Sequence, residues 1–221
     1  MKREQGLDVI RTTGVIAIMR AASSDQLLQA ADAVYHGGVR AIEVTLTTPG
    51  ALEVVKQARV KYEQGVVFGA GTVLDPESAR AAILAGAQFI VTPTLNLDLI
   101  TLCRRYSIPV IAGAYTPTEA LTAWEAGADM VKIFPANIGG PGFVKALRAP
   151  LPQIDLVPVG GVDLDNTAAF IEAGAAAVGV GSSLIDQRLL ATGDFSALTR
   201  RARDFVEQVA IGRTGCAGGR E

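Results

Sequence analysis

The sequence predicts an α/β chain folded as a single (β/α)8 TIM barrel with an extra N-terminal helix. Three observations carry that prediction. Eight short apolar runs, rich in β-branched residues, recur along the 221 residues. Amphipathic helical stretches separate them, which is the alternation expected of a parallel sheet. The runs are apolar almost throughout, as strands buried on both faces must be. With 49% apolar residues, the chain can fill one sizeable core, and its length suits one domain better than two.

In chain order, residues 2–12 read as a helix covering the barrel's N-terminal end. The first strand is GVIAIM (14–19), and DQLLQAADAVYH then carries helical spacing. Four units follow one pattern: GGVRAIEVT (37–45), AGAQFIVTP (85–93), AGADMVKIFP (126–135) and AGAAAVGVG (173–181). In each, a glycine suited to ending a helix leads into a strand. Between them fall GVVFGAG (65–71), IPVIAGA (108–114) and DLVPVGG (155–161), with stretches such as PESARAAILA as the intervening helices. A last helix is expected near 196–211, which bounds the domain at 1–211. Residues 212–221 show no periodicity and read as a flexible tail. Eight units favour a closed barrel over an open doubly wound sheet, and no GxGxxG fingerprint follows the first strand.

Bulk composition excludes several functions. The 20 Lys and Arg nearly balance 22 Asp and Glu, a formal net charge of −2, so no basic face is offered to nucleic acid. No apolar run approaches the roughly 18–20 residues of a membrane span, and residues 1–14 do not read as a signal peptide. Cys103 and Cys216 form no CxxC motif, and a cytoplasmic protein is expected. The single histidine, His36, leaves little for a metal site or a Ser-His-Asp triad, so neither metal nor cofactor is expected. His36 reads as the last residue of a helix, Trp124 as packing, and Cys103 as an inert helix residue.

A barrel places its chemistry at the C-terminal ends of its strands, with phosphate near the loops after strands seven and eight. Of the five lysines, Lys2, Lys56, Lys61 and Lys145 lie in helix surfaces or termini, whereas Lys132 sits inside the apolar strand DMVKIFP. An amine stripped of its hydration deprotonates more readily and becomes a nucleophile. Glu43 stands in the second strand among apolar residues. It could move protons through a water beside such an amine; the alternative is a buried ion pair with Lys132 or Arg20. Arg20 ends the first strand, where a guanidinium suits a substrate carboxylate or simply caps the strand. Two glycine-rich turns, with Gly160 and Gly161 and then Gly179, Gly181, Ser182 and Ser183, fall where barrels bind phosphate. Thr72 adds a hydroxyl to the same rim. Pro93, Pro117 and Pro135 shape turns, and Pro93 and Phe134 could also wall a cavity.

The motifs IEVTLTTP, GAGTVL, FIVTP, KIFPA, GGPGFVKAL, PVGGV and VGVGSSL occur in one order over about residues 10–210. In this the chain resembles the KDPG/KHG aldolases, which act on 2-keto-3-deoxy-6-phosphogluconate or 4-hydroxy-2-oxoglutarate. The resemblance implies that Lys132 is the Schiff-base lysine and Glu43 the general acid/base. It implies that Arg20, Thr72 and Pro93 line a pyruvyl pocket, while Gly160, Gly161 and Ser182 hold the phosphate. It further implies a cofactor-free homotrimer whose partners are a phosphorylated 2-keto acid and pyruvate. Two positions depart from the common pattern. Thr47 stands where many members carry Arg, which leaves the carboxylate contact to Arg20. Val159 stands where gluconate-type members often have Thr, and galactonate-type relatives look similar to this chain there. Cleavage of the phosphogluconate to pyruvate and glyceraldehyde 3-phosphate is the expected reaction, with cleavage of 4-hydroxy-2-oxoglutarate to pyruvate and glyoxylate as a second one. The alternatives are an aldolase of the phosphogalactonate epimer and, behind it, another phosphate-binding barrel enzyme.

Overall fold

The computed structural model describes residues 3–20, 23–62 and 65–217. Its eight strands are β1 (Val15–Met19), β2 (Ala41–Thr45), β3 (Val67–Gly71), β4 (Ile90–Val91), β5 (Val110–Ala114), β6 (Met130–Ile133), β7 (Leu156–Pro158) and β8 (Val178–Val180). Each falls within one of the eight apolar runs. All pair in parallel with their neighbours in sequence, and β1 also pairs with β8. A parallel bridge between Val159 and Gly179 joins the β7 and β8 edges, so the sheet closes on itself.

Helices α1 (Arg3–Thr13), α2 (Ser24–His36), α3 (Ala51–Lys61), α4 (Pro76–Leu84), α5 (Leu97–Arg105), α6 (Pro117–Glu125), α7 (Gly140–Arg148) and α8 (Leu164–Glu172) alternate with the strands. The starts follow side-chain chemistry. Ser23, Asp75, Asn96, Thr116 and Asp163 each cap a helix by accepting a backbone N–H two or three residues on, satisfying donors the helix cannot. The ends follow the repeated glycines: Gly38, Gly86, Gly127 and Gly174 sit at φ of 102°, 103°, 96° and 99°, a conformation that costs other residues strain.

Two apolar layers result. One lies between strands and helices. The other fills the barrel, where Ile16, Val67, Phe89, Ile111, Met130 and Val157 meet Leu7 and Ile10 of α1. The extra N-terminal helix is thus the plug at the barrel's N-terminal end, with Ile10 fully buried.

The C-terminal region differs from expectation. A short helix, α9 (Gln187–Thr192), precedes α10 (Phe195–Ala217), so residues 212–217, read as tail, are helical; 218–221 lie outside the described residues. The reason is close approach rather than an apolar stripe. A Cβ on Gly212 would lie 2.5 Å from the carbonyl oxygen of Ala168 in α8, so only glycine lets α10 pass there. Arg213 then donates to the carbonyl oxygens of Thr12, at 2.8 Å, and Arg11, tying the helix to the end of α1. Neither contact leaves a hydrophobic period in the sequence.

Candidate active site

The pleat sends alternate residues inward, and the inward set changes character along the barrel. At the N-terminal end it is bulky and apolar. Toward the C-terminal end it becomes Glu43 on β2, Gly71 on β3, Gly113 on β5, Lys132 on β6 and Gly179 on β8. Lys132 is in register with Gly113 on one side and Val157 on the other. The glycines create the room that the two charged side chains use. A Cβ on Gly71 would stand 1.8 Å from Glu43 Oε1, and one on Gly113 would stand 2.3 Å from the backbone of Pro93. Pro93 is therefore drawn over β5, and the amide of Gly113 donates to Thr92 Oγ1 at 2.9 Å.

Lys132 is 5% exposed and Glu43 2%. The buried ion pair weighed as an alternative is not there: among the described residues neither side chain forms a salt bridge, and Glu43 Oε1 is buried without a hydrogen-bond partner. The ammonium of Lys132 instead lies 5.2 Å from the ring centroid of Phe134, within cation–π range. Burial raises the Glu43 carboxyl above its ordinary value, against the opposing pull of the Lys132 and Arg20 charges. A carboxyl kept dry, close to a positive charge yet unpaired, is costly as a structural device and suited to moving a proton.

Above these groups opens a cavity of about 350 Å3. Arg20, Thr72, Pro93, Lys132 and Phe134 line it, as do Gly160, Gly161, Gly181 and Ser182. Arg20 is exposed, and its guanidinium donates to no described residue, while its carbonyl accepts from the Gln187 amide at 2.9 Å. Thr72 holds φ 57°, a strained conformation for a β-branched residue and one that clusters at functional sites.

The rim after β7 and β8 is rich in open donors. Gly160 and Gly161 sit at φ 94° and 73°; Gly181 turns its carbonyl toward Leu184 and Ile185. The backbone N–H groups of Gly161, Val162, Ser182 and Ser183, and both serine hydroxyls, find no acceptor among the described residues. Asp163 already caps α8 through Asp165 and Asn166, so an anion here would use the turns themselves, a nest of convergent N–H groups.

Most residues expected at the site are gathered in or beneath this cavity; Thr47 is not. It is exposed, and its hydroxyl donates to Thr45 Oγ1 at 3.3 Å. Val159 does face the cavity, packed over Gly179 beside Ile18. Ile18 and Val162 were not expected there; apolar residues in strand-like runs carry no signal that separates a cavity wall from core. His36 Nδ1 donates to the carbonyl oxygen of Asp32 on the barrel's outside, Trp124 is on the surface, and burial pushes the Cys103 thiol up to about 12, which leaves it inert. Among the described residues no three His, Cys, Asp or Glu side chains gather as a metal site, and no helix is long and apolar enough to cross a membrane.

Known proteins resemble this chain in sequence and in fold. The family described as "Aldolase: KDPG and KHG aldolase" matches residues 7–201. The 2-dehydro-3-deoxy-6-phosphogalactonate aldolase of Escherichia coli (strain K12) is 41% identical over 171 residues, 77% of this chain and 83% of that protein. The 2-dehydro-3-deoxy-phosphogluconate aldolase of Treponema pallidum (strain Nichols) is 34% identical over 208 residues, 94% of this chain and 97% of that protein. A crystal structure of KDPG aldolase from Legionella pneumophila, with pyruvate captured as a covalent carbinolamine intermediate, superposes with a TM-score of 0.81 at 28% identity. It covers 88% of this chain and 95% of its own.

Proposed function

The chain belongs to the KDPG and KHG aldolase family of class I aldolases, and from that membership we propose that Lys132 and Glu43 run a Schiff-base cleavage of a 2-keto-3-deoxy-6-phospho sugar acid. The observation that carries the reading is the pair itself: a buried amine and a buried carboxyl, unpaired, beneath a cavity whose rim offers open phosphate donors.

Lys132 Nζ adds to the C2 ketone, and the carbinolamine loses water to give a protonated imine. The cation accepts the electron pair of the C3–C4 bond as that bond breaks, leaving an enamine. Glu43, directly or through a water, takes the proton of the C4 hydroxyl, and glyceraldehyde 3-phosphate departs. Protonation at C3 and addition of water release pyruvate and restore the amine. Arg20 is the cation for the substrate carboxylate, with Thr72, Pro93 and Phe134 around the pyruvyl unit. Gly160, Gly161, Gly181 and Ser182 receive the phosphate.

Position 159 decides between the epimers. Where a threonine would offer a hydroxyl, Val159, Ile18 and Val162 present an apolar wall. A site lacking a polar partner does not reward the epimer that needs it. With the 41% identity to a phosphogalactonate aldolase, this favours 2-keto-3-deoxy-6-phosphogalactonate. The phosphogluconate reading retains the support of the longer match. Measuring kcat/KM on both epimers side by side decides: at least a tenfold preference, about 1.4 kcal/mol, for the galactonate is expected, and a preference for the gluconate would reverse the assignment. A homotrimer belongs to the same proposal, and light scattering after gel filtration tests it.

A further inference from the structure

The barrel's other end holds a second cavity, of about 190 Å3, walled by the end of α3 and by the turns that lead into β4 and β5, with α1 over it. Among the described residues its charged side chains are Arg3 and Arg59, and no carboxylate lines it. Arg3 is half-satisfied. One terminal nitrogen pairs with Asp129 at 2.7 Å, but its Nε is buried without a hydrogen-bond partner. A buried guanidinium N–H left without an acceptor is costly, and an anion or a water close by is one way to satisfy it. Arg59 makes no ion pair or hydrogen bond among the described residues. Its aliphatic stem lies on Gly86, where a Cβ would approach to 3.2 Å of Cγ, so the chain is held against the cavity wall. Ser107, on the same wall, holds φ 55°, and its hydroxyl also lacks a partner among the described residues.

We propose that this cavity is a binding site for a small oxyanion of phosphate size, gripped between Arg3 and Arg59 with Ser107 as a further donor. The charge balance fits: Asp129 answers Arg3, which leaves Arg59 as a positive charge without a partner among the described residues and Arg3 Nε without a hydrogen bond. The size fits too, since at about 30 Å3 per water the space holds roughly six waters. That is room for a tetrahedral oxyanion with a remnant of its hydration. Because the walls come from α1, α3 and the β4 and β5 entries, a bound anion would fasten the N-terminal plug to the barrel, and binding to the folded state alone stabilises it.

Hydrogen exchange read by mass spectrometry, with inorganic phosphate as the probe, tests this in solution. Phosphate is expected to slow exchange in peptides covering the start of α1 and residues 86–89 and 107–110. Arg59→Gln should abolish that protection while leaving aldolase activity and any phosphate protection at residues 160–162 and 181–183 unchanged. Glycerol 3-phosphate as a second probe separates free phosphate from a monoester: protection by either supports the site and says which it takes. Protection confined to residues 160–162 and 181–183, or protection at α1 that survives Arg59→Gln, would overturn it. Failure at the 160–162 and 181–183 turns alone would count against the proposed substrate phosphate instead.

Discussion

The carboxyl of Glu43 occupies the space that a Cβ on Gly71 would need, with Oε1 only 1.8 Å from that point. The two residues come from neighbouring strands, so the absence of a side chain on β3 sets the position of an acid on β2. The atoms in conflict are the far end of a flexible side chain, so Gly71→Ala should cost little stability while moving the carboxyl away from Lys132. A fall in kcat of about 10²- to 10⁴-fold, the usual worth of a general acid–base group, is expected with an unchanged circular dichroism spectrum. Wild-type kcat in the folded variant would show that this position of Glu43 does not matter.

Glu43 also sets a pH dependence. Its carboxyl titrates above the usual carboxylate range because burial disfavours the charged form. Proton removal from the C4 hydroxyl needs the ionised form, so activity should fall as pH drops through this raised value. The acid limb of kcat/KM should therefore lie above pH 4.5, the ordinary value, and vanish in Glu43→Gln. Folding stability runs the opposite way. The folded state holds the proton more tightly than the unfolded chain, so the contribution is fully present below the unfolded pKa. It is lost as pH rises through the folded one. Glu43→Gln, which has no charge to bury, should thus gain stability over the wild type as pH rises above 4.5, measured by urea unfolding.

The phosphate turns make a separate prediction. Ser182→Ala removes one donor to a charged oxygen, worth about 1.5 kcal/mol or roughly tenfold in KM for the phosphorylated substrate. Activity on the unphosphorylated analogue should be untouched, and an equal loss on both substrates would place Ser182 elsewhere. Gly161→Ala, which must adopt φ 73°, should add strain of about 1–2 kcal/mol and show it in the melting temperature.

Much of this site is legible before any coordinates. All eight strands fall in the apolar runs because strands covered on both faces have no polar phase to obscure them. Lys132 and Glu43 stand out for the same reason: a charge inside such a run needs an explanation. What is not legible is empty space. Gly71 and Gly113 act through the side chains they lack, and Ile18 and Val162 look like any core residue. Thr47 illustrates the converse. It stands where many family members carry Arg, but the turn swings it out of the cavity onto Thr45. The end of α10 escaped because its contacts are a glycine's close approach and an arginine's hydrogen bonds.

Val159→Thr tests the apolar wall directly. Restoring a hydroxyl beside Gly179 should raise kcat/KM for the phosphogluconate epimer relative to the phosphogalactonate by about tenfold, or 1.4 kcal/mol. An unchanged ratio would move epimer selection to another part of the cavity.

The most direct test of the central claim is borohydride trapping with pyruvate, read by peptide mass spectrometry. A reduced adduct on the peptide containing Lys132, absent from a folded Lys132→Met variant whose turnover has dropped at least about 10⁴-fold, is the predicted result. An adduct on another lysine, or none with pyruvate in excess, would contradict the assignment of Lys132 as the Schiff-base nucleophile.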